Sequence, residues 1–151
     1  MATAIRRIKK EFDDISKDGG SEYSATMPNT DNLFEWNIII TGPPDSVYEG
    51  FKYKLKVEFP ESYPFKPPKI TFITPIYHAN VMLTTGEICL DILKDNWTPA
   101  LSLPKVILSL RVLMAAPNGE SALNFEASRL LADDIGAMKA KVAAMAAEYP
   151  V

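Results

Sequence analysis

Residues 51–59, FKYKLKVEF, alternate strictly between apolar and charged side chains. The apolar members of this stretch are Phe51, Tyr53, Leu55, Val57 and Phe59. Alternation with a period of two is typical of a β-strand that has one face against a core and the other in water. The stretch therefore predicts a sheet with one covered side, and the other elements can be placed around it.

Three further segments have strand character. On the N-terminal side, residues 22–27 and 33–41 are extended, and the run at residues 38–40 indicates a strand covered on both faces. On the C-terminal side, four prolines within residues 60–68 interrupt pairing before a last strand at residues 69–74. Four successive strands with short connections predict an antiparallel meander.

Helical patterns lie on both sides of these strands. Residues 3–17 form an amphipathic pattern, whose apolar face consists of Ile5, Ile8, Phe12 and Ile15. After Ser102, which is placed to cap a helix, the sequence is apolar nearly all round, and we expect that helix to be buried.

Two helices complete the chain. The first contains Phe125, Leu130 and Leu131, and the second begins at Asp133–Asp134. The predicted buried face of the second is Ile135, Met138, Val142, Met145 and Tyr149. One helix, four strands and three helices define an α+β class with segregated elements, and we expect residues 1–151 to form one domain.

The composition narrows the class of protein. A hydrophobic fraction of 47% and a charged fraction of 23% are those of a soluble globular chain, and a net charge of -3 offers no bulk attraction to nucleic acid. The single cysteine excludes an internal disulfide, and no apolar run approaches the roughly 20 residues that span a bilayer. The first twelve residues are charged and helix-like without an apolar signal core, so we expect no direction to secretion. We therefore expect a cytoplasmic or nuclear protein without membrane or nucleic-acid partners.

The segment from Tyr77 to Ala100 holds the only histidine and the only cysteine. Long irregular segments of this kind usually carry function. Zinc requires about four ligands, so we expect neither a metal site nor a cofactor. Cys89 is then either a small apolar residue or a nucleophile, and His78 either a structural residue or its base. A cysteine-dependent hydrolase is one interpretation of that pair.

Three motifs in this segment together resemble the ubiquitin-conjugating enzyme family. They are YHAN at residues 77–80, GEICLDIL at residues 86–93 and WTPAL at residues 97–101. The resemblance extends to the first helix, to YPFKPP at residues 63–68 and to APN at residues 116–118. It implies the catalytic-core fold of that family, with an N-terminal helix, a four-stranded meander, a long active-site loop and three helices.

The resemblance implies a thioester relay. In the family, an activating enzyme passes ubiquitin to the cysteine that matches Cys89, and a lysine amine later attacks the thioester. A thiolate is both a good nucleophile and a good leaving group, which suits this chemistry. Asn80 matches the residue that supports transfer, either by donating to the oxyanion or by bracing the loop around it.

Four further residues complete the implied catalytic set. Asp91 and Ser121 match positions that orient the incoming lysine, and Tyr77 is expected to pack beside that lysine. His78 is expected to hold the active-site loop by hydrogen bonds, which argues against the hydrolase interpretation.

The chain departs from the family pattern at three places. Ala79 replaces the usual proline, which frees φ before Asn80 and raises the expectation of a looser loop. The segment from Asn80 to Cys89 is one residue longer, with Leu83–Thr85 filling the extra length. Ser121 replaces an acidic residue, so lysine activation is expected to depend more on Asp91. These departures leave open an inactive or weakly active variant that acts as a binding module.

The resemblance also implies partner surfaces. In the family the first helix receives the activating enzyme, and its edge forms the ligase surface with two loops. The matching residues are Arg7, Lys10, Phe65, Thr98, Pro99 and Ala100. A noncovalent ubiquitin site on the outer sheet face near Ser24 is a weaker expectation. The spacing from Asp91 to Trp97 favours ubiquitin over the related modifier SUMO, and we expect a monomer that depends on a ligase for substrate choice.

Overall fold

A computed structural model describes residues 2–151 and shows one helix, four strands and three further helices in that order. The helices are α1 (Ala2–Asp18), α2 (Leu103–Ala115), α3 (Phe125–Asp133) and α4 (Ile135–Glu148). The strands are β1 (Tyr23–Thr26), β2 (Glu35–Thr41), β3 (Lys52–Glu58) and β4 (Lys69–Phe72). Short 3-10 turns occur at Asp91–Leu93 and Gly119–Ser121. The predicted α+β class and order of elements are confirmed.

The four strands form one antiparallel sheet in the order β1-β2-β3-β4, as the meander prediction required. In β3 the apolar residues are buried and the lysines lie on the outer face. The expectation that both faces of β2 are covered is wrong, because only Ile38 and Ile40 of the run at residues 38–40 are buried completely. Ile39 is opposite Ser24 on one side and Lys54 on the other, so it shares their partly exposed outer face.

Helix α2 packs one face into the core and leaves the opposite face open. The buried side consists of Leu103, Val106, Ile107, Leu110 and Met114. Leu108 and Val112 are 48% and 65% exposed, so the prediction that this helix is buried all round is wrong. These two residues lie one turn apart and therefore occupy the same face.

The last helix has a shorter buried stripe than its sequence predicts. Met138 and Val142 are buried and Met145 partly so, whereas Ile135 and Tyr149 are exposed. Ile135 is the first residue of α4 and Tyr149 follows its last residue, so both project beyond the core at the helix ends.

A buried carboxylate joins α1 to α2. Glu11 is only 3% exposed, accepts a hydrogen bond from the Tyr63 hydroxyl at 2.8 Å, and accepts another from the Leu103 N–H at 2.7 Å. Ser102 occupies the N-cap position of α2, but its side chain makes no capping bond. The predicted serine cap is therefore wrong, and Glu11 supplies the acceptor that the first turn of α2 needs.

Within residues 2–151, no helix combines the length and apolar character needed to span a membrane. The same part of the chain contains no cluster of three metal-binding side chains.

Candidate active site

A tight reversal at Gly86 positions Cys89. The φ of Gly86 is +74°, and a Cβ there would come within 2.0 Å of the Phe72 carbonyl oxygen, so only glycine fits. The Phe72 N–H donates to the Gly86 carbonyl at 2.9 Å, which attaches the returning segment to the edge of β4. The Cys89 N–H then donates to the Asn80 carbonyl at 2.9 Å. Cys89 is thereby held beside the Asn80 loop and remains partly exposed.

Cys89 opens onto a cleft of about 540 Å³. The polar and charged residues that line the cleft with it are Asp91, Lys94, Asp95, Asn96, Asn118 and Ser121. The structure thus brings together three members of the predicted catalytic set, namely Cys89, Asp91 and Ser121. The cleft has room for an extended side chain to reach the cysteine from solvent.

Asn80 is buried completely, and its side chain joins two segments of the site. Its Nδ2 donates to the carbonyl oxygens of Asn118 at 2.6 Å and Ser121 at 3.1 Å, while its Oδ1 accepts from the Asn118 N–H at 2.9 Å. Both amide hydrogens are therefore engaged by main-chain carbonyls. This is the geometry of a brace, which is one of the two roles that the sequence left open.

Two hydrogen bonds to its carbonyl oxygen hold Ala79 in place. That oxygen accepts from the Leu123 N–H at 2.7 Å and from the Asn124 N–H at 3.0 Å, and the Ala79 side chain is buried. The next residue, Asn80, is held by its N–H, its carbonyl and its amide. These hydrogen bonds hold both Ala79 and Asn80 in place. The looser loop that we expected from the missing proline is therefore not seen in the structure.

Both ring nitrogens of His78 are occupied. Nδ1 accepts from the Asn80 N–H at 2.9 Å, which places the proton on Nε2, and Nε2 donates to the Leu113 carbonyl at 2.9 Å. Burial lowers the pKa of His78 from 6.5 to about 4, against the opposing effect of the bond to Leu113. The imidazole is a neutral structural group that does not line the Cys89 cleft, so the geometry gives no support to a Cys-His hydrolase.

Because the folded state disfavours charged His78, we expect acid to destabilise the protein. The unfolded chain binds a proton near pH 6.5 and the folded chain only near pH 4, so the free energy of unfolding should fall as pH decreases through this window. The loss attributable to His78 reaches about 3 kcal/mol. Urea unfolding at a series of pH values measures the change. NMR titration of this only imidazole provides the direct check, and a native pKa near 6.5 would contradict the prediction.

Tyr77 does not line the Cys89 cleft. Its hydroxyl donates to the carboxylate of Glu126 on α3, and Glu126 pairs at 2.6 Å with Lys141 on α4. The Lys141 ammonium also lies 5.3 Å from the centre of the Tyr77 ring. Burial and the bond to Glu126 raise the pKa of Tyr77 to about 12, so the hydroxyl stays a donor. Tyr77 borders a separate cavity of about 280 Å³ and connects the loop to the last two helices.

The predicted partner residues meet on one rim, formed by α1 and the loops at residues 63–66 and 97–101. Arg7 donates to the carbonyl oxygens of Pro99 and Leu101, both at 2.9 Å, so much of its guanidinium is used to join α1 to the second loop. Lys10 pairs with Asp14 at 3.0 Å on the exposed side of α1. The Trp97 indole donates to the Pro64 carbonyl at 2.8 Å and fixes one loop against the other.

At this rim Phe65 is 71% exposed, and Thr98, Pro99 and Ala100 are exposed beside the cap of α2. Ser24 is exposed on the outer sheet face, opposite Ile39.

The sequence interpretation missed an apolar surface next to the cysteine. The open face of α2 borders a groove of about 350 Å³ with Leu90 and Ile92, and Asp91 and Leu113 line both this groove and the Cys89 cleft. The sign of this surface in the sequence is that α2 is apolar nearly all round. That pattern by itself predicts a completely buried helix, so it does not reveal the open face.

Comparison with known proteins agrees with this arrangement. Residues 7–146 match the family model for ubiquitin-conjugating enzymes. The fold is also similar to a crystal structure from Plasmodium yoelii of a protein provisionally described as a ubiquitin conjugating enzyme. That similarity has a TM-score of 0.88 and 32% sequence identity, and it covers 97% of this chain and 94% of that chain. The chain belongs to the ubiquitin-conjugating enzyme family. Members of this family work with ubiquitin, activating enzymes and ligases in general.

Proposed function

We propose that this family member is active and carries ubiquitin on Cys89. The observation that supports the proposal is a partly exposed cysteine, alone of its kind, that opens onto a polar cleft with Asp91 and Ser121. In the loading step the Cys89 thiolate attacks the thioester between ubiquitin and the activating enzyme. A bond from Cys89 sulfur to the ubiquitin carboxyl carbon forms, and the activating enzyme leaves as a thiolate.

In the transfer step a lysine side chain enters the cleft, and its neutral amine attacks the carbonyl carbon. The new carbon–nitrogen bond replaces the carbon–sulfur bond, the nitrogen loses one proton, and Cys89 departs as a thiolate that gains one. We assign Asn80 the role of bracing the walls of the cleft, because its amide hydrogens are bound by Asn118 and Ser121. Asp91 and Ser121 face the entering amine from two separate segments of the chain.

A charging assay tests this function. Purified protein is incubated with activating enzyme, ubiquitin and ATP, and the products are separated with and without a thiol reductant. We expect one added ubiquitin that reductant removes. Failure of the wild-type protein to charge would favour the inactive binding-module alternative, and charging with SUMO instead of ubiquitin would correct the modifier.

We further propose that Phe65 is the centre of the ligase-binding rim. Phe65→Ala should lower ligase-stimulated transfer by about tenfold or more, since exposed anchors of this kind dominate interface energies. Thioester charging should be unchanged, because Phe65 does not line the Cys89 cleft. Single-turnover discharge with and without a ligase measures both effects.

Phe125→Ala is the matched control, because Phe125 is 78% exposed and lies outside the rim. Equal losses in the two variants, or intact ligase stimulation in Phe65→Ala, would contradict the assignment.

The outer face of the sheet is our proposed site for a second, noncovalent ubiquitin. The cross-strand row Ser24–Ile39–Lys54 combines a partly exposed apolar residue with polar neighbours, which suits a weak contact. Chemical-shift titration with free ubiquitin should perturb this row, and shifts confined to other surfaces would count against it.

A further inference from the structure

The Cys89 cleft contains two carboxylates, those of Asp91 and Asp95, which differ in the number of hydrogen bonds that they accept. The Asp91 Oδ1 accepts from the Ile92 N–H, and its Oδ2 accepts from the Asn96 side-chain amide, each at 2.8 Å. Asp95 lines the same cleft and is exposed, yet within residues 2–151 its carboxylate accepts no hydrogen bond and joins no ion pair. Asp91 therefore stabilises the turn that carries it, whereas Asp95 has all its acceptor capacity available.

The neighbouring positive charge does not neutralise Asp95. Lys94 also lines the cleft, but its ammonium pairs with Glu87, at 3.8 Å. Ser121, which reaches the cleft from a distant segment of the chain, brings a hydroxyl and no charge. Asp91 keeps its negative charge but has both oxygens engaged, so Asp95 is the carboxylate beside Cys89 whose oxygens are both free to bind an incoming cation.

We propose that Asp95 binds the ammonium group of the acceptor lysine and so replaces the charge that Ser121 lacks. This inference rests on the proposed transferase function. The lysine enters as an ammonium, held near the thioester by charge attraction. It loses one proton to water and attacks as the neutral amine, and the tetrahedral intermediate expels the Cys89 thiolate. The nitrogen loses its second proton, and the thiolate gains one. Overall, ammonium and thioester give an isopeptide bond, a Cys89 thiol and one proton released to water.

The role predicts a specific kinetic signature. Asp95→Asn should raise the apparent KM for free lysine in discharge of the loaded enzyme by about threefold at low salt, as expected for a solvent-exposed ion pair. The effect should disappear near 1 M salt, where screening acts over about 3 Å. Discharge by hydroxylamine, which is uncharged at neutral pH, should be unaffected. Charging of Cys89 should also be unchanged.

Asp133→Asn is the matched control, because it removes one exposed carboxylate at the end of α3, outside the cleft. A second test uses Ser121→Asp in the Asp95→Asn background, where a carboxylate returned to the same cleft should restore at least half of the lost affinity for lysine.

Three results would overturn the inference: unchanged KM for lysine in Asp95→Asn, an equal loss with hydroxylamine, or an equal loss in Asp133→Asn. These results leave the thioester intact and so are distinct from failure of the proposed function, which would show as a wild-type protein that does not charge. That failure would remove the inference together with the function.

Discussion

Cys89→Ser should abolish the reducible ubiquitin adduct completely, and this is the largest effect that we expect of any substitution. Cys89 is the only cysteine, so no other side chain of the protein can form a thioester. A serine hydroxyl is a much weaker nucleophile at neutral pH than a thiolate. Any adduct that forms on the substituted hydroxyl is an oxyester, which thiol reductants do not cleave. Gel analysis of the charging reaction with and without reductant, followed by mass spectrometry, measures the change.

The fold of the Cys89→Ser variant should be intact, because the position is partly exposed and the substitution is nearly isosteric. Matching unfolding curves for the two proteins therefore serve as the control. A reductant-sensitive ubiquitin adduct that persists in Cys89→Ser would show that the adduct belongs to another component, and would remove the central assignment.

Asn80→Ala should combine a large loss of stability with slow transfer. Three hydrogen bonds to the Asn118 and Ser121 backbone disappear from a fully buried site, which leaves unpaired polar groups around a small cavity. At about 1 kcal/mol for each bond, the free energy of unfolding should fall by about 3 kcal/mol. The corresponding decrease in Tm is about 6–12 °C. Thermal unfolding and single-turnover discharge onto lysine are the two measurements.

Thermal unfolding and single-turnover discharge together distinguish whether Asn80 braces the loop or donates to the oxyanion. Asn37→Ala is a suitable control, since Asn37 lies on the outer sheet face and its side chain makes no hydrogen bond within residues 2–151. Loss of an oxyanion donor lowers the chemical rate by about 100-fold or more without necessarily lowering stability. Asn80→Ala with wild-type stability and such a rate loss would contradict the bracing role.

The sequence predicted the layout of the fold because its strongest patterns are local. The period-two alternation of residues 51–59 depends on neighbours along the chain, and it correctly placed β3 in a sheet with one covered face. Such patterns show which face of an element is apolar, and leave open what lies against it. Apolar character alone assigns Ile39 and Val112 to the core for that reason, and the structure places both on open faces.

The site was predictable where the motif is contiguous in sequence. Cys89 and Asp91 are two residues apart, and a resemblance is enough to associate them with a cleft. Which polar groups are already hydrogen-bonded depends on partners that no motif specifies. Examples are Glu126, which accepts from the Tyr77 hydroxyl, and Asn96, which donates to Asp91. Only the three-dimensional arrangement distinguishes the engaged carboxylate of Asp91 from the free one of Asp95.

The hydrogen bonds of Glu11 divide α1 into two sides with different tolerance to substitution. On the exposed side, Arg6, Lys9 and Lys10 can change with the partner, because the core does not depend on them. Position 11 must keep a side chain that accepts from the first turn of α2 and from Tyr63, since a residue without acceptors strands two buried donors. The exposed side of the helix can therefore be exchanged without loosening the fold, while Glu11, together with Arg7 and the buried apolar face, keeps α1 attached to α2 and the loop before it.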